Sequence, residues 1–283
     1  MISPSIAFLG GGNMARALLA GLLRRGEPAG GIAIGEPAAA QRLALERDFG
    51  VRVEADNARA IEGAALVVLA VKPQDMQGVL TPLQPMLRRQ RPTMLSIAAG
   101  LRVGQLSAWC GPTVPVVRAM PNRPALVGAG ATGMYAGPDV GARERAAAER
   151  VMSAAGEVVW IDDENLMDVV TAVSGSGPAY FLLLAEALAE AGHLQGLPAA
   201  TARRLAVATL HGTGLLAALP DCDIVRMRAE VTSRGGTTEA AVNAMLAAGW
   251  REVIAEGVAA AVQRGRDLAA ESTASSTASS TSR

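Results

Sequence analysis

The stretch from Phe8 to Ala15 constrains the fold of this chain most, because it fits the pattern Gly-x-Gly-x-x-Ala. It follows an apolar run typical of a buried strand and precedes a run typical of a helix, which is the context that this pattern needs. There, Gly10 can make the tight turn and Gly12 can admit a pyrophosphate to the helix N-terminus. A plain strand-to-helix turn is the alternative. We predict a dinucleotide site that includes Gly10, Gly11, Gly12, Asn13 and Met14.

The first part of the chain alternates short apolar runs with helical ones. Runs suited to buried parallel strands lie at Ile6–Leu9, Ile32–Ile34, Leu66–Ala70, Met94–Ile97, Val114–Val117 and Val158–Ile161. Segments suited to helices lie at 15–25, 38–49, 75–87 and 143–155. This alternation predicts an α/β fold with a doubly wound, Rossmann-type sheet over residues 1–162.

From Asp163 onward the pattern is helical only, with breaks at 175–178, 196–198, 219–220 and 231–241. We predict an all-α helical bundle over residues 163–271. Its many alanines and its apolar stripes on both sides of the helices indicate that it also pairs two subunits as a homodimer or higher homo-oligomer. Residues 272–283 contain almost only serine, threonine and alanine, which predicts a disordered tail.

The balance of acidic and basic residues indicates which kinds of molecule the protein can bind. Lysine plus arginine and aspartate plus glutamate both total 26, so the formal net charge is zero. Such a chain lacks the basic field that holds nucleic acid or an anionic membrane. Aromatic residues make up only 3% of the chain, which leaves little material for base stacking. We therefore expect a small-molecule substrate and no nucleic-acid partner.

Cysteine and histidine are too few and too scattered for a metal centre. Cys110 and Cys222 lie far apart, without the close spacing of a zinc site, and we interpret them as reduced core residues. His193 and His211 are the only histidines, which gives a conventional Ser-His-Asp triad little to build from. No metal site is predicted.

The chain also has no predicted targeting or membrane-spanning segment. Its first residues lack the basic and apolar regions of a signal peptide. The apolar run 180–194 is interrupted by Glu186 and Glu190, and we judge it too short and too charged to cross a bilayer. These observations predict a cytoplasmic protein without a membrane partner.

The end of the second predicted strand bears on the type of dinucleotide. Glu36 lies there, where an acidic group would hydrogen-bond a ribose 2′-hydroxyl and favour NAD over NADP. Arg42 could offset the charge of a 2′-phosphate. Asn57, after Asp56, is either a helix N-cap or a ribose contact.

Two further strand ends point into the same predicted crevice. Ala70-Val71-Lys72-Pro73 ends one strand and holds the only lysine of the chain, which is either a cofactor contact or a solvated loop residue. Ser96–Gly100 ends the next strand, and its small residues, Ala98 and Ala99 among them, would leave room for a nicotinamide. A tightly packed strand end is the alternative there.

The run Val231–Ala241 interrupts an otherwise alanine-rich helical half with two glycines and several hydroxyl side chains. Glycine lets backbone approach a ligand closely, and a helix that begins at Gly236 or Thr237 would point its free N–H groups beyond the break. This favours a site for a small anion. An ordinary helix-to-helix corner would use the same residues.

Taken together, these motifs resemble those of pyrroline-5-carboxylate reductases, in the same order along the chain. The matching stretches cover almost everything except the tail: 8–15, 70–73, 96–100, Arg118–Asn122, Ala172–Tyr180 and 231–238. The Ser-Gly-Ser-Gly-Pro-Ala and Gly-Gly-Thr-Thr runs are far more specific than the glycine fingerprint, which many dehydrogenases share.

The resemblance implies the last step of proline synthesis, in which a hydride passes from NAD(P)H to the imine carbon of 1-pyrroline-5-carboxylate. NADPH is the expected cofactor, with NADH possible. By similarity, the N–H groups around Gly235, Gly236 and Thr237 would bind the substrate carboxylate, and the Thr238 hydroxyl would lie near the ring nitrogen as the catalytic group. Ser233 belongs to the same predicted site.

The loop before Pro178 has two readings. The resemblance makes Ser176 part of the wall of the substrate pocket, while Ser174, Ser176 and Gly177 also suit the cap of a long helix.

Elsewhere the sequence departs from the family pattern at two positions. Arg234 stands where many relatives have proline, and Glu230 stands where some have an asparagine that holds substrate.

Two other functions are compatible with parts of this pattern. A related imine or β-hydroxyacid oxidoreductase shares the glycine start, but the latter typically uses a lysine that residues 164–173 lack. A non-catalytic dinucleotide-binding protein would be expected to have a degraded substrate loop, whereas 235–238 is intact.

Overall fold

The computed structural model describes residues 5–280, with side chains described as far as residue 270. The chain divides into two compact units, one formed by Met1–Gly175 with Ala261–Arg283 and the other by Ser176–Ala260. This division falls later than the boundary that we predict at residue 162. The reason is that the first turns after that boundary pack on the sheet, where a Cβ on Gly133 would collide with the side chain of Val170.

The first unit contains one eight-stranded sheet. Its strands are β1 (Ile6–Leu9), β2 (Ile32–Gly35), β3 (Arg52–Glu54), β4 (Leu66–Leu69), β5 (Thr93–Ser96), β6 (Val116–Met120), β7 (Gly130–Ala136) and β8 (Gly156–Ile161). They are ordered β3-β2-β1-β4-β5-β6-β7-β8, and all neighbours are parallel except the antiparallel pair β6 and β7. The order reverses between β1 and β4, which is the switch point at which doubly wound sheets bind ligands. The predicted fold class is confirmed.

Helices cover both faces of this sheet. They are α1 (Asn13–Arg24), α2 (Ala39–Phe49), α3 (Asn57–Ile61), α4 (Met76–Leu80), α5 (Gln84–Gln90), α6 (Val103–Cys110), α7 (Ala142–Ser153) and α8 (Met167–Val170). Alternate residues of β1 enter opposite cores, with Ile6 and Phe8 in one cluster and Ala7 and Leu9 in the other. Burial on both faces explains why this strand is a continuous apolar run.

Three details differ from the sequence predictions. The strand β3 lies at the sheet edge and is only half-buried, so its sequence carries a weak apolar signal. The strand β7 occupies a glycine-rich passage for which no strand is predicted. Its glycines are needed because a Cβ on Gly130 would come within 2.9 Å of the Ala155 oxygen. The predicted helix 75–87 is divided into α4 and α5 by a 3-10 turn that contains Pro82.

The remaining helices are α9 (Gly177–Leu194), α10 (Ala199–Ala217), α11 (Ile224–Glu230), α12 (Thr237–Ala247) and α13 (Trp250–Ser280). The all-α character predicted for this half is confirmed. Between α8 and α9 the chain forms a π-helical turn, Thr171–Gly175, and a bend at Ser176. In the second unit, α9 and α10 pack through small residues, and Ala185, Ala202 and Ala206 are buried.

The last helix continues without a break into the segment for which we predict disorder. α13 runs to Ser280, and residues 281–283 lie outside the described part of the chain. No glycine or proline follows Gly265, so the backbone carries no signal that would end the helix at residue 271. The prediction of a disordered tail rests on the lack of apolar side chains and stays a prediction.

One apolar helical stretch is longer than the sequence indicates. Within the described residues, Glu164–Leu194 is long and apolar enough, by length and composition alone, to cross a membrane. From the sequence, we count this stretch from residue 180 only. In the structure, α8 and the π-helical turn continue the helical stretch toward the N-terminus and make it longer. Our judgement on its length is therefore wrong.

Candidate active site

The glycine fingerprint forms a tight turn against the end of β4. Gly10 has φ +95°, a conformation that L side chains rarely adopt, and a Cβ there would lie 2.9 Å from the Ala70 oxygen. Its N–H donates a 2.8 Å hydrogen bond to the Gly35 oxygen. The first of the two roles predicted for the glycines, the tight turn, is therefore visible in the backbone.

The N-terminus of α1 is open. Gly12 is its N-cap residue, without a side-chain capping bond, and a Cβ on Gly12 would meet no described atom within 4 Å. Asn13 is exposed and Met14 half-buried at the first turn. Backbone N–H groups and the helix dipole at such an end favour a phosphate. The geometry suits the pyrophosphate of a dinucleotide.

Glu36 reaches back to the fingerprint turn. One carboxylate oxygen accepts a 3.1 Å hydrogen bond from the Gly11 N–H and the other accepts a 3.0 Å bond from the Ala38 N–H. The guanidinium of Arg42 donates to the backbone oxygens of Glu36 and Pro37, at 3.1 and 2.7 Å. A carboxylate and a guanidinium therefore both lie at the end of β2, where the predicted ribose would bind.

The structure changes the reading of Asn57. The helix N-cap is Asp56, whose carboxylate accepts a 2.9 Å bond from the Ala58 N–H, and Asn57 is the first residue of α3. The N-cap alternative for Asn57 is therefore wrong. Its amide oxygen lies against Gly35, where a Cβ would collide with it. This places Asn57 at the end of β2, next to Glu36, the other predicted ribose contact.

The ends of β4 and β5 complete the crevice in the first unit. Val71 lies beside the fingerprint, with a Cγ1 that would be 3.1 Å from a Cβ on Gly10. Lys72 is exposed and begins a 3-10 turn with Pro73. After β5, Ala98 is buried and donates a 3.3 Å hydrogen bond to the Ser96 hydroxyl, while Ala99 is exposed.

The Gly-Gly-Thr-Thr run lies in the second unit and begins α12. Gly235 has φ +72°, and Gly236 is the N-cap residue, again without a side-chain capping bond. The helix begins at Thr237, as predicted. Ser233, Thr237 and Thr238 are exposed, so their hydroxyls are accessible in this chain.

Two of the predicted carboxylate donors already have partners. The Gly236 N–H donates to the Ser233 oxygen at 3.0 Å, and the Gly235 N–H donates to the Glu239 carboxylate at 2.7 Å. Glu239 is absent from our sequence-based site. A glutamate shortly after a helix start is a recognised capping pattern and could have indicated it.

Ser176 does not cap α9. It occupies the N-cap position with helical angles, φ −83° and ψ −23°, and makes no capping bond. The helix-cap interpretation of Ser176 is therefore wrong, because the π-helical turn brings the chain into α9 already helical. Ser174 instead donates a 2.9 Å hydrogen bond to the Val170 oxygen.

A largely buried ion pair joins β6, an inner strand of the sheet, to the turn that precedes α8. The Arg118 guanidinium, 4% exposed, is 3.2 Å from the Glu164 carboxylate, which also accepts a 2.7 Å bond from the Val103 N–H. Burial lowers the pKa of Arg118, and the charge of Glu164 opposes that shift. Among the described residues, no group of three or more His, Cys, Asp or Glu side chains could hold a metal ion.

The departures from the family pattern are exposed. Glu230 forms an ion pair of 3.6 Å with Arg226, one turn earlier on α11. Arg234 is exposed in the loop before α12. The carboxylate of Glu230 therefore has a cationic partner on its own helix.

Comparison with known families separates the two halves of the chain. A family described as "Pyrroline-5-carboxylate reductase dimerisation" matches residues 164–268. A second family, described as "NADP oxidoreductase coenzyme F420-dependent", matches residues 5–100. These ranges correspond to the helical half and to the fingerprint half.

Relatives match over the full length. The pyrroline-5-carboxylate reductase of Pseudomonas aeruginosa is 44% identical and covers 95% of this chain and 98% of its own. The structure of the Coxiella burnetii enzyme has a TM-score of 0.91 at 36% identity, with 94% and 99% covered. The Plasmodium falciparum enzyme, solved with NADP bound, has a TM-score of 0.78 at 25% identity, with 95% and 99% covered. The chain belongs to the pyrroline-5-carboxylate reductase family.

Proposed function

We propose that the loop before α12 and the first turn of that helix form the substrate cradle of this reductase, with Thr238 as the residue that contacts the reacting ring. The enzyme catalyses NAD(P)H-dependent reduction of 1-pyrroline-5-carboxylate to proline. The substrate carries a carboxylate and a ring nitrogen, so its site needs N–H and hydroxyl donors for the one and a hydrogen-bonding partner for the other.

The uncapped start of α12 is the observation that carries this proposal. With the N–H groups of Gly235 and Gly236 engaged within the loop, those of Thr237 and Thr238 are the donors at the helix end. We assign the substrate carboxylate to this end, together with the Ser233 hydroxyl, and we assign Gly235 and Gly236 the task of shaping the turn. Ser176 contributes a hydroxyl from the start of α9.

The reaction does not require a strong base or acid from the protein. When bound, NAD(P)H supplies the hydride that the imine carbon accepts. An imine that enters protonated is already the better hydride acceptor, so no side chain has to deliver a proton first. Thr238 orients the ring nitrogen, and the α12 N-terminus fixes the carboxylate. Orientation and electrostatics then carry most of the catalysis.

A Thr238→Ala variant tests this assignment. We expect kcat/KM for 1-pyrroline-5-carboxylate to fall about 10- to 100-fold, the typical cost of one lost substrate hydrogen bond in a site. A Thr81→Ala variant, which removes an exposed hydroxyl after α4, is the control and should match the wild type. Full kcat/KM in Thr238→Ala would remove the role given to Thr238.

We propose NADPH as the main cofactor, with NADH also accepted. The Plasmodium falciparum relative holds NADP, and Arg42 lies at the end of β2 where it could face a 2′-phosphate. Glu36 at the same strand end works against that phosphate. Separate measurements of NADPH and NADH oxidation with 1-pyrroline-5-carboxylate test the preference.

The helical half is a dimerisation domain of this family, and we propose that α9 and α10 supply the contact. Large apolar side chains on these helices are exposed in the single chain, including Phe181 (61%), Leu182 (63%), Leu183 (65%) and Leu215 (60%). Apolar surface of this extent indicates a protein partner. Light scattering should show that Leu183→Glu lowers the subunit number, whereas Leu43→Glu, at an exposed position of α2, should not. An unchanged subunit number in Leu183→Glu would exclude this contact.

We also propose a cytoplasmic location, as for a biosynthetic enzyme.

A further inference from the structure

We propose that Asn122 is a positioning residue whose side-chain amide holds the π-helical turn that leads into Ser176. The inference rests on the substrate role proposed above for Ser176. Asn122 ends the run Arg118–Asn122, which resembles the family sequence. Its side chain has no role in the substrate or cofactor site described above.

The amide of Asn122 bridges two distant backbone segments. Its nitrogen donates a 2.9 Å hydrogen bond to the Ser174 oxygen, and its oxygen accepts a 2.8 Å bond from the Ala131 N–H. The side chain follows the end of β6 and is 8% exposed. One buried group therefore links the end of β6 and the start of β7 to a turn 52 residues further along the chain.

Close packing on both sides of this bridge holds the turn against the sheet. A Cβ on Gly175 would lie 3.0 Å from the terminal methyl group of Met120. A Cβ on Gly133 would collide with the side chain of Val170. The chain just before the turn can approach β7 this closely because position 133 is glycine, while the contact at Gly175 is with the end of a flexible side chain. The hydrogen bond from Asn122 then sets its register.

The hydrogen bonds of the π-helical turn show where its outside support comes from. A π-helical segment is rare, occurs mostly as a single turn within an α-helix and is frequently found at functional sites. Thr171 and Ser174 donate their hydroxyls to the Met167 and Val170 oxygens, at 2.8 and 2.9 Å, which are bonds within the same helical stretch. The bond from Asn122, in contrast, comes from the sheet side, so it fixes the position of Ser174, two residues before Ser176.

An Asn122→Asp variant separates the two halves of the bridge. The new carboxylate still accepts from the Ala131 N–H but, when ionised, cannot donate to the Ser174 oxygen. We expect KM for 1-pyrroline-5-carboxylate to rise about tenfold or more, because small misplacements of binding groups are costly. The dissociation constant for NADPH, measured without substrate by fluorescence, should stay within about twofold of the wild type.

The pH profile provides a readout that general damage to the fold would not give. As the pH falls, the carboxyl of Asn122→Asp becomes protonated and regains a donor for the Ser174 oxygen. The ratio of its kcat/KM to that of the wild type should therefore rise toward acid pH. Should Asn122→Asp fail to fold, Asn122→Ser is measured by the same KM criterion.

Gln84 offers a matched control in the same unit. Its amide nitrogen also bridges backbone oxygens, those of Ala108 and Trp109, at 3.0 and 3.3 Å, but on α5. Gln84→Glu should leave KM for the substrate unchanged. An Asn122→Asp enzyme with wild-type KM would overturn the inference. So would a rise in KM that is matched by an equal rise in the NADPH dissociation constant, or one that Gln84→Glu reproduces.

A Ser176→Ala variant distinguishes failure here from failure of the proposed site. A wild-type KM in Ser176→Ala removes the substrate role of Ser176, whatever Asn122 does. A raised KM in Ser176→Ala with a wild-type KM and pH profile in Asn122→Asp overturns the positioning role alone.

Discussion

The carboxylate of Glu239 accepts a 2.7 Å hydrogen bond from the backbone N–H of Gly235. Gly235 is in the left-handed region, with φ +72°, and directly precedes the N-cap residue of α12. A side chain from the first turn of the helix therefore holds the loop that precedes it, and the N–H groups left at the helix end are those assigned to the substrate carboxylate.

Removal of that side chain should weaken substrate binding. In Glu239→Ala we expect KM for 1-pyrroline-5-carboxylate to rise about tenfold, since a lost charge-assisted bond costs roughly 1.5–3 kcal/mol and frees the loop. Glu239→Gln keeps a hydrogen-bond acceptor, so its KM should lie between those of the wild type and of Glu239→Ala. Glu256→Ala, on the exposed surface of α13, is the control. Equal KM values in all four enzymes would contradict the loop-holding role.

Cofactor preference should respond to Glu36. Replacing it by serine removes a negative charge from the end of β2 while Arg42 remains. We expect Glu36→Ser to raise the ratio of kcat/KM with NADPH to that with NADH by about tenfold, through lost repulsion of the 2′-phosphate and a lost ribose bond. Glu46→Ser on the exposed face of α2 should leave the ratio unchanged. A constant ratio in Glu36→Ser would refute the argument from the ribose.

Two helix glycines should differ in how their replacement by alanine changes the free energy of unfolding. A Cβ on Gly21 in α1 would collide with the Ala154 backbone oxygen, whereas a Cβ on Gly78 in α4 would meet no described atom within 4 Å. Gly21→Ala should lower the free energy of unfolding by about 1–3 kcal/mol through overpacking. Gly78→Ala should leave it unchanged or raise it by up to about 1 kcal/mol, as helix propensity favours alanine. Urea unfolding of both variants measures the difference, and equal changes would be inconsistent with the close approach.

The buried thiol of Cys110 should make stability fall at alkaline pH. Burial raises the pKa of Cys110 from 9.0 to about 12. Above about pH 9 the unfolded chain releases this proton while the folded chain keeps it, so the unfolded state binds fewer protons and the free energy of unfolding decreases with pH. Cys110→Ala should lose this part of the slope between about pH 8 and pH 11. Identical slopes for the two proteins would disprove the shift.

The alternation of short apolar runs with helical ones determined the class of the fold, because a strand that is buried on both faces must be apolar at every position. The glycine fingerprint determined the tight turn after β1, since only glycine readily adopts the φ of Gly10 and allows its close approach to Ala70. The Gly-Gly-Thr-Thr run likewise determined where α12 begins. These are local constraints, and local sequence records them.

Tertiary structure decided the features that depend on distant neighbours. β7 is a strand because β6 pairs with it, although its glycines argue against one. Gly235 and Gly236 shape the loop rather than present free N–H groups, because Glu239 and Ser233 engage them. Asn122 acquires a partner in the π-helical turn only when folding brings Ser174 within 2.9 Å of its amide. Hydrogen bonds and close contacts between residues far apart in sequence leave no periodic signal, so only the folded chain shows them.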